Sequence, residues 1–446
     1  MKKTNKILLA IGSISSISAL PLIAASCKNK EQEQKEKEKR EKEQKEKEKK
    51  EQIKRVTSQV KELWNKDFKG KLNSAKNYSL ITEMLQEKFE KGEDKKLISL
   101  ANSSEARKRP IKNQSNQKIK IKVDSNEIEF DLGDVAEGKQ ATKYVDEKGQ
   151  IQETFEKDLE EKNNIKEIIQ IGYYEHTDNH DSNKLHIRAV PLPKIVEKVP
   201  TELPKEITST RSMFYNAEKF NQDISGWDTS NIETMDQMFQ GAKEFNQDIS
   251  KWNVSNVRIM EFVFSETDKF DQDLSKWDVS NVTSMQGLFE KTKSFNNKNK
   301  PLSWGKKTKK VTNMRNLFAK AEKFNQDISD WDVSNVRIME QMFLDAPVFD
   351  KPLNSWVVDK VTNMRNMFYS ASEFNQNISS WNTSNVIDMG NMFYKAKKFN
   401  QDISKWDTKN VNKPWDAFAH NDNNNWKKEY KPAKWIEYEN KNYKFK

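Results

Sequence analysis

The chain has 446 residues and a net charge of +10, with 33% charged and 34% hydrophobic residues. Segments this rich in charge cannot all bury a core, so part of the chain is predicted to lie outside any packed domain. Cys27 is the single cysteine, which excludes disulfides within the chain and metal sites built on several cysteines. A basic balance can indicate nucleic acid, acidic glycans or anionic lipid as partners. Here much of the lysine lies near the N-terminus, so nucleic acid is not the predicted partner.

Residues 1–27 have the plan of a secretory signal peptide. Lysines at the start precede an apolar stretch over 7–25, and small residues lead directly into Cys27. This arrangement resembles a bacterial lipoprotein signal, in which the cysteine becomes the lipidated first residue of the mature protein. The resemblance implies a lipid on Cys27 that anchors the protein to the outer face of the cell membrane, because two acyl chains suffice for stable anchoring. The alternatives are an uncleaved membrane anchor or an incidental cysteine.

Residues 28–55 are predicted to be a charged Lys/Glu tether. Residues 31–52 include no apolar side chain and cannot join a core. Glu and Lys at helical spacing favour a solvated helix through i,i+4 pairs, and disorder is the alternative. Either form would place the downstream chain away from the membrane.

Two regions are predicted between the tether and the repeats. Residues 56–160 combine a helical segment with a β-hairpin, in which apolar residues alternate with lysines over 119–123 and with acids over 128–132. Residues 161–207 hold strands at 165–174 and 185–190 and then a proline-rich stretch. That stretch is in phase with the repeats, so we expect it to form the N-terminal cap of a solenoid.

His176 and His180 lie between those two strands. A pair of histidines four residues apart can bind zinc when it sits on a helix. The surrounding residues are turn formers, which favour a solvent-exposed hairpin loop. No metal site is therefore predicted.

A tryptophan recurs at one phase through the second half of the chain, at spacings of 25, 25, 27, 27, 25, 25 and 25 residues. The row consists of Trp227, Trp252, Trp277, Trp304, Trp331, Trp356, Trp381 and Trp406. A fixed period of this size is typical of a solenoid, whose repeats bury their apolar faces only against their neighbours. About half of the protein is thus a repeating surface rather than a single pocket, which argues against an enzyme.

Each repeat is predicted to hold one short helix and one short strand. Val282, Met285 and Phe289 fall on one helical face after a possible Ser-Asn cap. The asparagine after the closing Phe is predicted to adopt the left-handed conformation that ends helices. The segment Gln-Asp-Ile-Ser-x-Trp is too short for a helix, so we expect a short strand or extended turn there.

The repeated Trp, Asp and Asn residues each allow a functional interpretation. The Trp row could be an exposed stripe that binds glycans, but its shared phase with Ile favours a core position, with Trp227, Trp252, Trp277, Trp331, Trp381 and Trp406 as the repeat core. The Asp and Asn residues could bind calcium, but the in-register glycines of calcium ladders are missing, which favours turn and cap hydrogen bonds. The variable residues beside each Trp are then what a partner could contact: Gly226, Lys251, Lys276, Asp330, Ser380 and Lys405.

One repeat, around Trp304, breaks the pattern with two extra residues on each side of the Trp. It is predicted to form a bulged loop with a positive patch. An anionic partner could bind there, and a merely solvated insertion is the alternative. The patch consists of Lys298, Lys300, Lys306, Lys307, Lys309 and Lys310.

The repeat text Met-Phe-x-x-Ala-x-x-Phe-Asn-Gln-Asp-Ile-Ser-x-Trp resembles the 25-residue repeat of mycoplasma surface lipoproteins, a family related to BspA-like leucine-rich repeats. The match covers 208–418, which would hold eight repeats and a partial one, with 419–446 as a C-terminal cap. The resemblance implies an α/β solenoid of ~25-residue leucine-rich-like repeats, with one short strand and one short helix per coil, preceded by a small α+β region and the tether. It supplies no catalytic residues.

These observations predict a membrane-anchored, surface-exposed lipoprotein whose solenoid binds host or surface proteins, as in adhesion. The first alternative is a structural or antigenic coat protein with no specific ligand. The second is a solute-binding lipoprotein or an enzyme. No grouping of nucleophile, base and acid supports the latter, so no catalytic residue and no cofactor is predicted.

Overall fold

The structure is a computed structural model that describes residues 20–181, 183–412 and 426–442. The chain forms two compact units. One comprises the chain up to Lys71 together with 81–107 and 115–133. The other comprises 72–80, 108–114 and the chain from Asp134 onward, which includes the repeats.

Regular elements are concentrated before the repeats. The helices are α1 (Leu20–Leu63), α2 (Tyr78–Glu87), α3 (Gly92–Leu97) and α4 (Ala433–Asn442). The strands are β1 (Ile98–Leu100), β2 (Lys118–Val123), β3 (Asn126–Asp131), β4 (Thr142–Val145), β5 (Ile151–Thr154), β6 (Glu167–Gln170), β7 (Tyr173–Asp178) and β8 (Lys184–Ala189). They form three antiparallel sheets, ordered β1-β2-β3, β5-β4-β6 and β7-β8.

Helix α1 contains the charged tether. Its 44 residues correspond to about 66 Å at 1.5 Å per residue. The exposed middle holds i,i+4 pairs such as Arg40–Glu36 (3.0 Å) and Lys50–Glu46 (2.8 Å), and near its end Lys49 pairs with Asp124 of the β2–β3 turn at 2.9 Å. The i,i+4 pairs contribute about 0.2–0.5 kcal/mol each. The helix becomes amphipathic only near its end, where Val56 is buried in the core of the first unit.

The core of the first unit is built around Trp64. Its ring lies 4.7 Å from that of Phe130, and its indole nitrogen donates to the Asp131 carbonyl at 2.9 Å. The β2–β3 hairpin has the predicted charge pairing, with Lys118 opposite Asp131 and Lys120 opposite Glu129. Complementary cross-strand charges help to fix this register.

The stretch predicted as one strand over 165–174 is two strands, β6 and β7, separated at Gly172. A side chain at Gly172 would overlap Thr142, so the chain can pass this point only without one. Strand β7 also continues to Asp178, opposite Lys184. His176 therefore lies in a strand, and its predicted position in the hairpin loop is wrong. His180 lies in the 3-10 turn between β7 and β8.

The repeats form a solenoid of eight coils. We number them one to eight, starting at residues 208, 233, 258, 283, 312, 337, 362 and 387. One residue per coil forms a parallel bridge with the next coil, and Arg188 of β8 supplies the first rung. The ladder runs through Arg188, Ser209, Thr234, Ile259, Ser284, Asn313, Ile338, Asn363 and Asp388. Strand β8 thus takes the place of a coil before coil one.

The predicted helix in each coil is wrong, because this segment is a run of turns. In coil two the N–H of Gln237 donates to the Glu261 carbonyl of coil three at 2.8 Å. The next N–H along, that of Met238, donates within its own coil to Met235 at 2.9 Å. Gln237 and Gly241 have positive φ angles of 55° and 75°, which are incompatible with an α-helix. Successive turns about four residues long also bring apolar side chains to one face. The apolar spacing of this segment is therefore the same as that of a helix, although no helix forms.

The Gln-Asp-Ile-Ser-x-Trp segment forms turns, so the strand predicted for it is wrong and the extended turn, its predicted alternative, is what the structure shows. In coil two the N–H of Ser250 donates to Oδ1 of Asp248 at 2.9 Å, and that of Trp252 donates to Ile249 at 3.1 Å. The parallel ladder lies instead in the segment that was predicted as helix. The prediction of a solenoid with a period of about 25 residues is confirmed, but the described coils hold neither the predicted helix nor the predicted strand.

Three stacks of aromatic rings run through the coils. Neighbouring rings lie 5.9 Å apart for Phe239–Phe264 and 6.0 Å apart for Phe245–Phe270. In the tryptophan row the distance is 6.0 Å for Trp381–Trp406. Aromatic pairs of this kind contribute about 0.5–1.5 kcal/mol beyond burial. A coil can complete these stacks only against its neighbours, so coil-to-coil contact holds the array together.

Both ends of the array are covered within the described residues. Before coil one, Gln222 exchanges two hydrogen bonds with Val199, and the Trp227 indole donates to Pro200. After coil eight, Trp426 packs edge-on against Phe399 at 5.0 Å. Of the predicted C-terminal cap, residues 419–425 and 443–446 lie outside the described residues.

Candidate interaction surface

The tryptophan row lies inside the solenoid. The eight side chains are 1–5% exposed. Each indole nitrogen donates to a backbone carbonyl of the preceding turn of the chain, as in Trp277 to Ile249 at 3.1 Å. Burial of both the ring and its single polar atom leaves no aromatic stripe for a glycan. The residues beside the row are exposed instead, namely Gly226, Lys251, Lys276, Asp330, Ser380 and Lys405.

The repeated Asp and Asn side chains serve the backbone. In the Asp-Ile-Ser and Asp-Val-Ser segments, the side-chain oxygen of Asp or Asn accepts a hydrogen bond from the backbone N–H two residues later. An example is Oδ1 of Asp273, which accepts from the N–H of Ser275 at 3.0 Å. Among the described residues, no group of three or more His, Cys, Asp or Glu side chains could hold a metal ion.

The residue after each closing Phe forms a ladder along the array. Oδ1 of Asn246 accepts from the N–H of Asp271, and Oδ1 of Asp271 accepts from that of Asn296, both at 2.9 Å. None of these residues has a positive φ angle within the described coils, so their predicted left-handed conformation is wrong. The left-handed positions lie earlier in the coil, where Asn216 and Asn391 are examples. A side-chain amide suits both roles, so composition alone could not distinguish them.

Coil four, the irregular repeat, carries the lysine patch on its outer side. Its extra residues form two 3-10 turns, Asn297–Asn299 and Gly305–Lys310. Lys300 pairs with Asp273 at 2.7 Å, and Lys310 bonds to the neutral amide oxygen of Asn281 at 2.6 Å. Lys298, Lys306, Lys307 and Lys309 form no ion pair with the part of the chain that the structure describes. The patch is therefore real but only partly compensated by acids.

Lys310 belongs to a line of side chains that we call the asparagine row. It consists of Asn231, Asn256, Asn281, Lys310, Asn335, Lys360, Asn385 and Asn410. Each asparagine donates from Nδ2 to a carbonyl of the preceding coil, as in Asn385 to Asp359 at 2.7 Å. Lys310 and Lys360 instead donate from Nζ to the amide oxygen of the preceding asparagine, both at 2.6 Å. Two cations thus replace amides in one continuous line.

A second line, the coil-start row, runs beside the first. It consists of Thr208, Glu233, Arg258, Thr283, Thr312, Arg337, Thr362, Ile387 and Asn412. Successive members are joined by backbone bonds of 2.8–3.2 Å, each N–H donating to the carbonyl one coil earlier. Towards coil eight the two rows line a shallow groove of about 530 Å³, which we call the edge groove. Arg337, Lys360, Asn385 and Ile387 contribute to its walls.

Several other outward cations of the array pair with acids of the neighbouring coil. Lys243 pairs with Glu218 at 2.6 Å, and Lys398 pairs with Glu373 at 2.5 Å. Exposed pairs of this kind add little stability, but they reduce the local charge. Arg337 is exposed and forms no ion pair with the described residues, so the edge groove keeps its positive charge.

The β7–β8 hairpin brings buried charges together over coils one to three. This hairpin cluster consists of Asp178, Asp181, His186, Arg211, Glu233, Asp236 and Arg258. Arg211 lies 3.2 Å from both Asp178 and Asp236, while Asp181 contacts Arg258 and lies 2.8 Å from Nε2 of His186. Buried charges require such partners because leaving one unpaired is costly.

The electrostatics of the cluster follow from its burial. Burial lowers the pKa of His186, which is 0% exposed, although Glu233 and Asp181 act in the opposite direction. Burial alone would raise the pKa of Asp181, but bonding to Arg258 and His186 brings it below its ordinary value. The cluster is thus a neutral histidine among ionised carboxylates and guanidinium groups.

Sequence reasoning singled out His176 and His180 and missed His186, which is the buried one. The available signal was weak. The fourth positions of coils one to three and the coil-start positions of coils two and three carry acids and arginines, whereas later coil-start residues are mostly neutral. Only the hairpin geometry shows that these charges meet Asp178 and Asp181.

Cys27 lies in α1. Across the described ranges, no helix combines the length and the apolar character needed to cross a bilayer. Residues 1–19, which hold most of the predicted signal peptide, lie outside the described residues.

The fold and these surfaces define a solenoid repeat protein. The chain matches the family described as "Mycoplasma protein of unknown function, DUF285" over residues 198–304, 298–389 and 352–435. Together these matches run from 198 to 435, which is 238 of 446 residues, so the chain belongs to this family. Neither a curated protein nor a solved structure matches it.

Proposed function

We propose that this chain is a surface lipoprotein, anchored by a lipid on Cys27 to the outer face of the cell membrane. In this proposal its solenoid contacts other proteins, in adhesion or host interaction, and performs no catalysis. The sequence around Cys27 and the family's mycoplasma repeats support the proposal. The relation to BspA-like leucine-rich repeats rests on the repeat text alone, because the coils contain turns where a helix was expected.

The observation that carries the proposal is the form of α1. From Cys27 to Glu48, before Lys49 pairs with Asp124, the helix spans about 32 Å at 1.5 Å per residue. Over 31–52 it presents no apolar side chain that could bind the rest of the chain. A solvated helix of this length suits a spacer that separates a lipid anchor from a display domain.

The anchoring step is tested with Cys27→Ser in cells that express the full chain. We expect the unsubstituted protein to incorporate labelled palmitate, to sediment with membranes and to be cleaved by protease added outside. The variant should incorporate no label and leave the membrane fraction. Lipid-free protein at the membrane, or protection of the unsubstituted protein from external protease, would contradict the proposal.

The interaction step is tested by screening the full-length protein against host extracellular proteins and host cells. Saturable binding to a defined protein supports an adhesive role. Surface exposure without binding above background would favour the coat-protein alternative and would remove support for adhesion.

A further inference from the structure

The edge groove and the lysines of coil four form one positively charged strip whose ligand can be specified by its chemistry. We propose that this strip, from Lys306 through Arg337 to Lys360, binds an extended acidic segment of a partner polypeptide. The inference takes its biological setting from the proposed function, but the binding itself is a property of the strip in solution.

The strip has charge that the coils neutralise only in part. Within the described residues, Lys306, Lys309 and Arg337 form no ion pair, although Lys306 and Lys309 lie near enough to Asp332 to help lower its pKa. Nζ of Lys310 and Nζ of Lys360 each donate to an amide oxygen. From 296 to 311 the chain has six lysines and no acid. The positive field therefore persists at the surface, where it can steer an anionic partner.

The protein provides an internal precedent for such a ligand. Arg258 and Arg337 occupy the same position of the coil-start row, three coils apart. Arg258 is 27% exposed because the tip of the β7–β8 hairpin covers it, and Asp181 of that hairpin supplies the carboxylate that pairs with it. Arg337 makes the same backbone hydrogen bonds to its neighbouring coils, but among the described residues no hairpin lies over it. The coil-start row can therefore receive a carboxylate from a segment outside the coils.

The spacing of the strip suits an extended chain. Adjacent coils are joined along the coil-start row by N–H to carbonyl bonds of 2.9 Å at Arg337 and Thr362. Stacking at the usual interstrand spacing of about 4.8 Å places the backbones of Lys310 and Lys360, two coils apart, roughly 10 Å from each other. Three residues of a peptide in the extended polyproline II conformation span about 9 Å and complete one turn, so side chains three residues apart lie on one face. Carboxylates three residues apart could thus reach both lysines.

The lining favours a peptide over a folded domain. Interfaces between folded proteins centre on buried aromatic and apolar anchors. Ile387 is the exposed apolar residue in the edge groove, and the other walls are amides, a threonine and cations. Asn385 and Asn410 use Nδ2 in the asparagine row, so their Oδ1 atoms can accept from the N–H groups of an extended segment.

The test uses the full-length protein and a synthetic twelve-residue peptide with glutamate at every third position. Its glutamine counterpart serves as the uncharged control. The edge variant carries Lys306→Gln, Lys309→Gln, Arg337→Gln and Lys360→Gln. The matched variant removes the same charge from exposed lysines elsewhere on the coils, with Lys219→Gln, Lys269→Gln, Lys323→Gln and Lys397→Gln. Binding is measured by fluorescence anisotropy at 0.15 M salt, and circular dichroism checks that both variants fold.

We expect the acidic peptide to bind the unsubstituted protein and the matched variant equally. The edge variant should bind about tenfold more weakly or worse, because each lost charge pair reduces affinity and the losses accumulate. The glutamine peptide should not bind. An equal loss of peptide affinity in both variants would show that net charge alone determines binding, and it would overturn the assignment of the peptide to this strip.

A sulfated polysaccharide and single-stranded DNA serve as competitors of equal charge. If either displaces the acidic peptide at much lower concentration, the strip selects a different polyanion and the peptide assignment fails. Peptide binding that persists while no host partner is found would preserve this inference and weaken only the proposed adhesive function.

Discussion

The first three coils and the coils that follow share one repeat but differ in what covers their edge. At the start of coil three, Arg258 lies under the β7–β8 hairpin and pairs with a carboxylate. At the start of coil six, the equivalent Arg337 is exposed. The phenylalanine stacks beneath the two positions are the same. The interior therefore builds the coil, while the edge is covered by the hairpin at one end and is exposed at Arg337, where we propose that a partner binds.

The interior should be the most sensitive part of the array. Trp277→Ala removes a side chain that is 1% exposed and one of the two hydrogen bonds that the Ile249 carbonyl accepts. We expect a loss of about 3–5 kcal/mol in the free energy of unfolding, typical of large aromatic truncations. Urea denaturation measures this loss. The neighbouring exposed Lys276→Ala should change stability by less than about 0.5 kcal/mol, and equal effects of the two would refute the buried tryptophan row.

The hairpin cluster should come second. Arg258→Ala leaves Asp181 and Glu233 without their guanidinium partner, at a cost of roughly 3 kcal/mol, which the partial exposure of Arg258 moderates. Arg337→Ala is the matched change at the uncovered position and should be nearly neutral. Differential scanning calorimetry of the two variants compares them directly. A larger loss for Arg337 would reverse the assignment of the two edges.

The same cluster predicts a pH dependence. Because burial lowers the pKa of His186 in the folded state, the unfolded state binds more protons as the pH falls below about 6.5. Stability should therefore decrease from pH 7.5 to 5.5. The lowered pKa values of Asp181 and Glu233 add a further loss only at more acidic pH, below their ordinary values. His186→Asn should flatten the decrease between pH 7.5 and 5.5 in urea midpoints, and an unchanged slope would contradict the burial of a neutral His186.

The asparagine and aspartate ladder should show the smallest effect. Asn325→Ala leaves the N–H of Asp350 without its acceptor at 3.0 Å and should cost about 1 kcal/mol. Asn325→Asp keeps an acceptor oxygen, as Asp271 and Asp350 do in other coils, and should be close to neutral. Chemical denaturation of both variants distinguishes a hydrogen-bonding role from a simple volume effect. Equal losses of stability in the two variants would indicate that the hydrogen-bond acceptor at residue 325 does not stabilise the array.

The period and the buried rows could be predicted from the sequence, because a 25-residue recurrence of Trp and Phe requires each coil to stack on the next. The backbone inside a coil could not. Met235, Met238, Phe239 and Ala242 have the spacing of a helix face, and nothing local reveals that Gln237 adopts a positive φ angle. That conformation is stabilised by bonds to the next coil, which are non-local.

The surface features, too, could be predicted from the sequence only in part. The lysines of coil four were visible in the sequence because they interrupt a regular pattern. Their continuation to Arg337 and Lys360 was not, since those residues lie in coil six and align with coil four only through the stacking. The hairpin cluster depends on Asp178 and Asp181 reaching across the first coils, which no periodicity encodes.

The division between a structural interior and a binding edge is tested most directly on host cells. Binding of the labelled full-length protein is compared with that of the edge variant and of its charge-matched counterpart. We predict that the unsubstituted and matched proteins bind to the same extent and that the edge variant loses most of its binding while remaining folded. Equal binding by all three proteins would contradict this division, whereas no binding above background by any of them would remove support for the adhesive function alone.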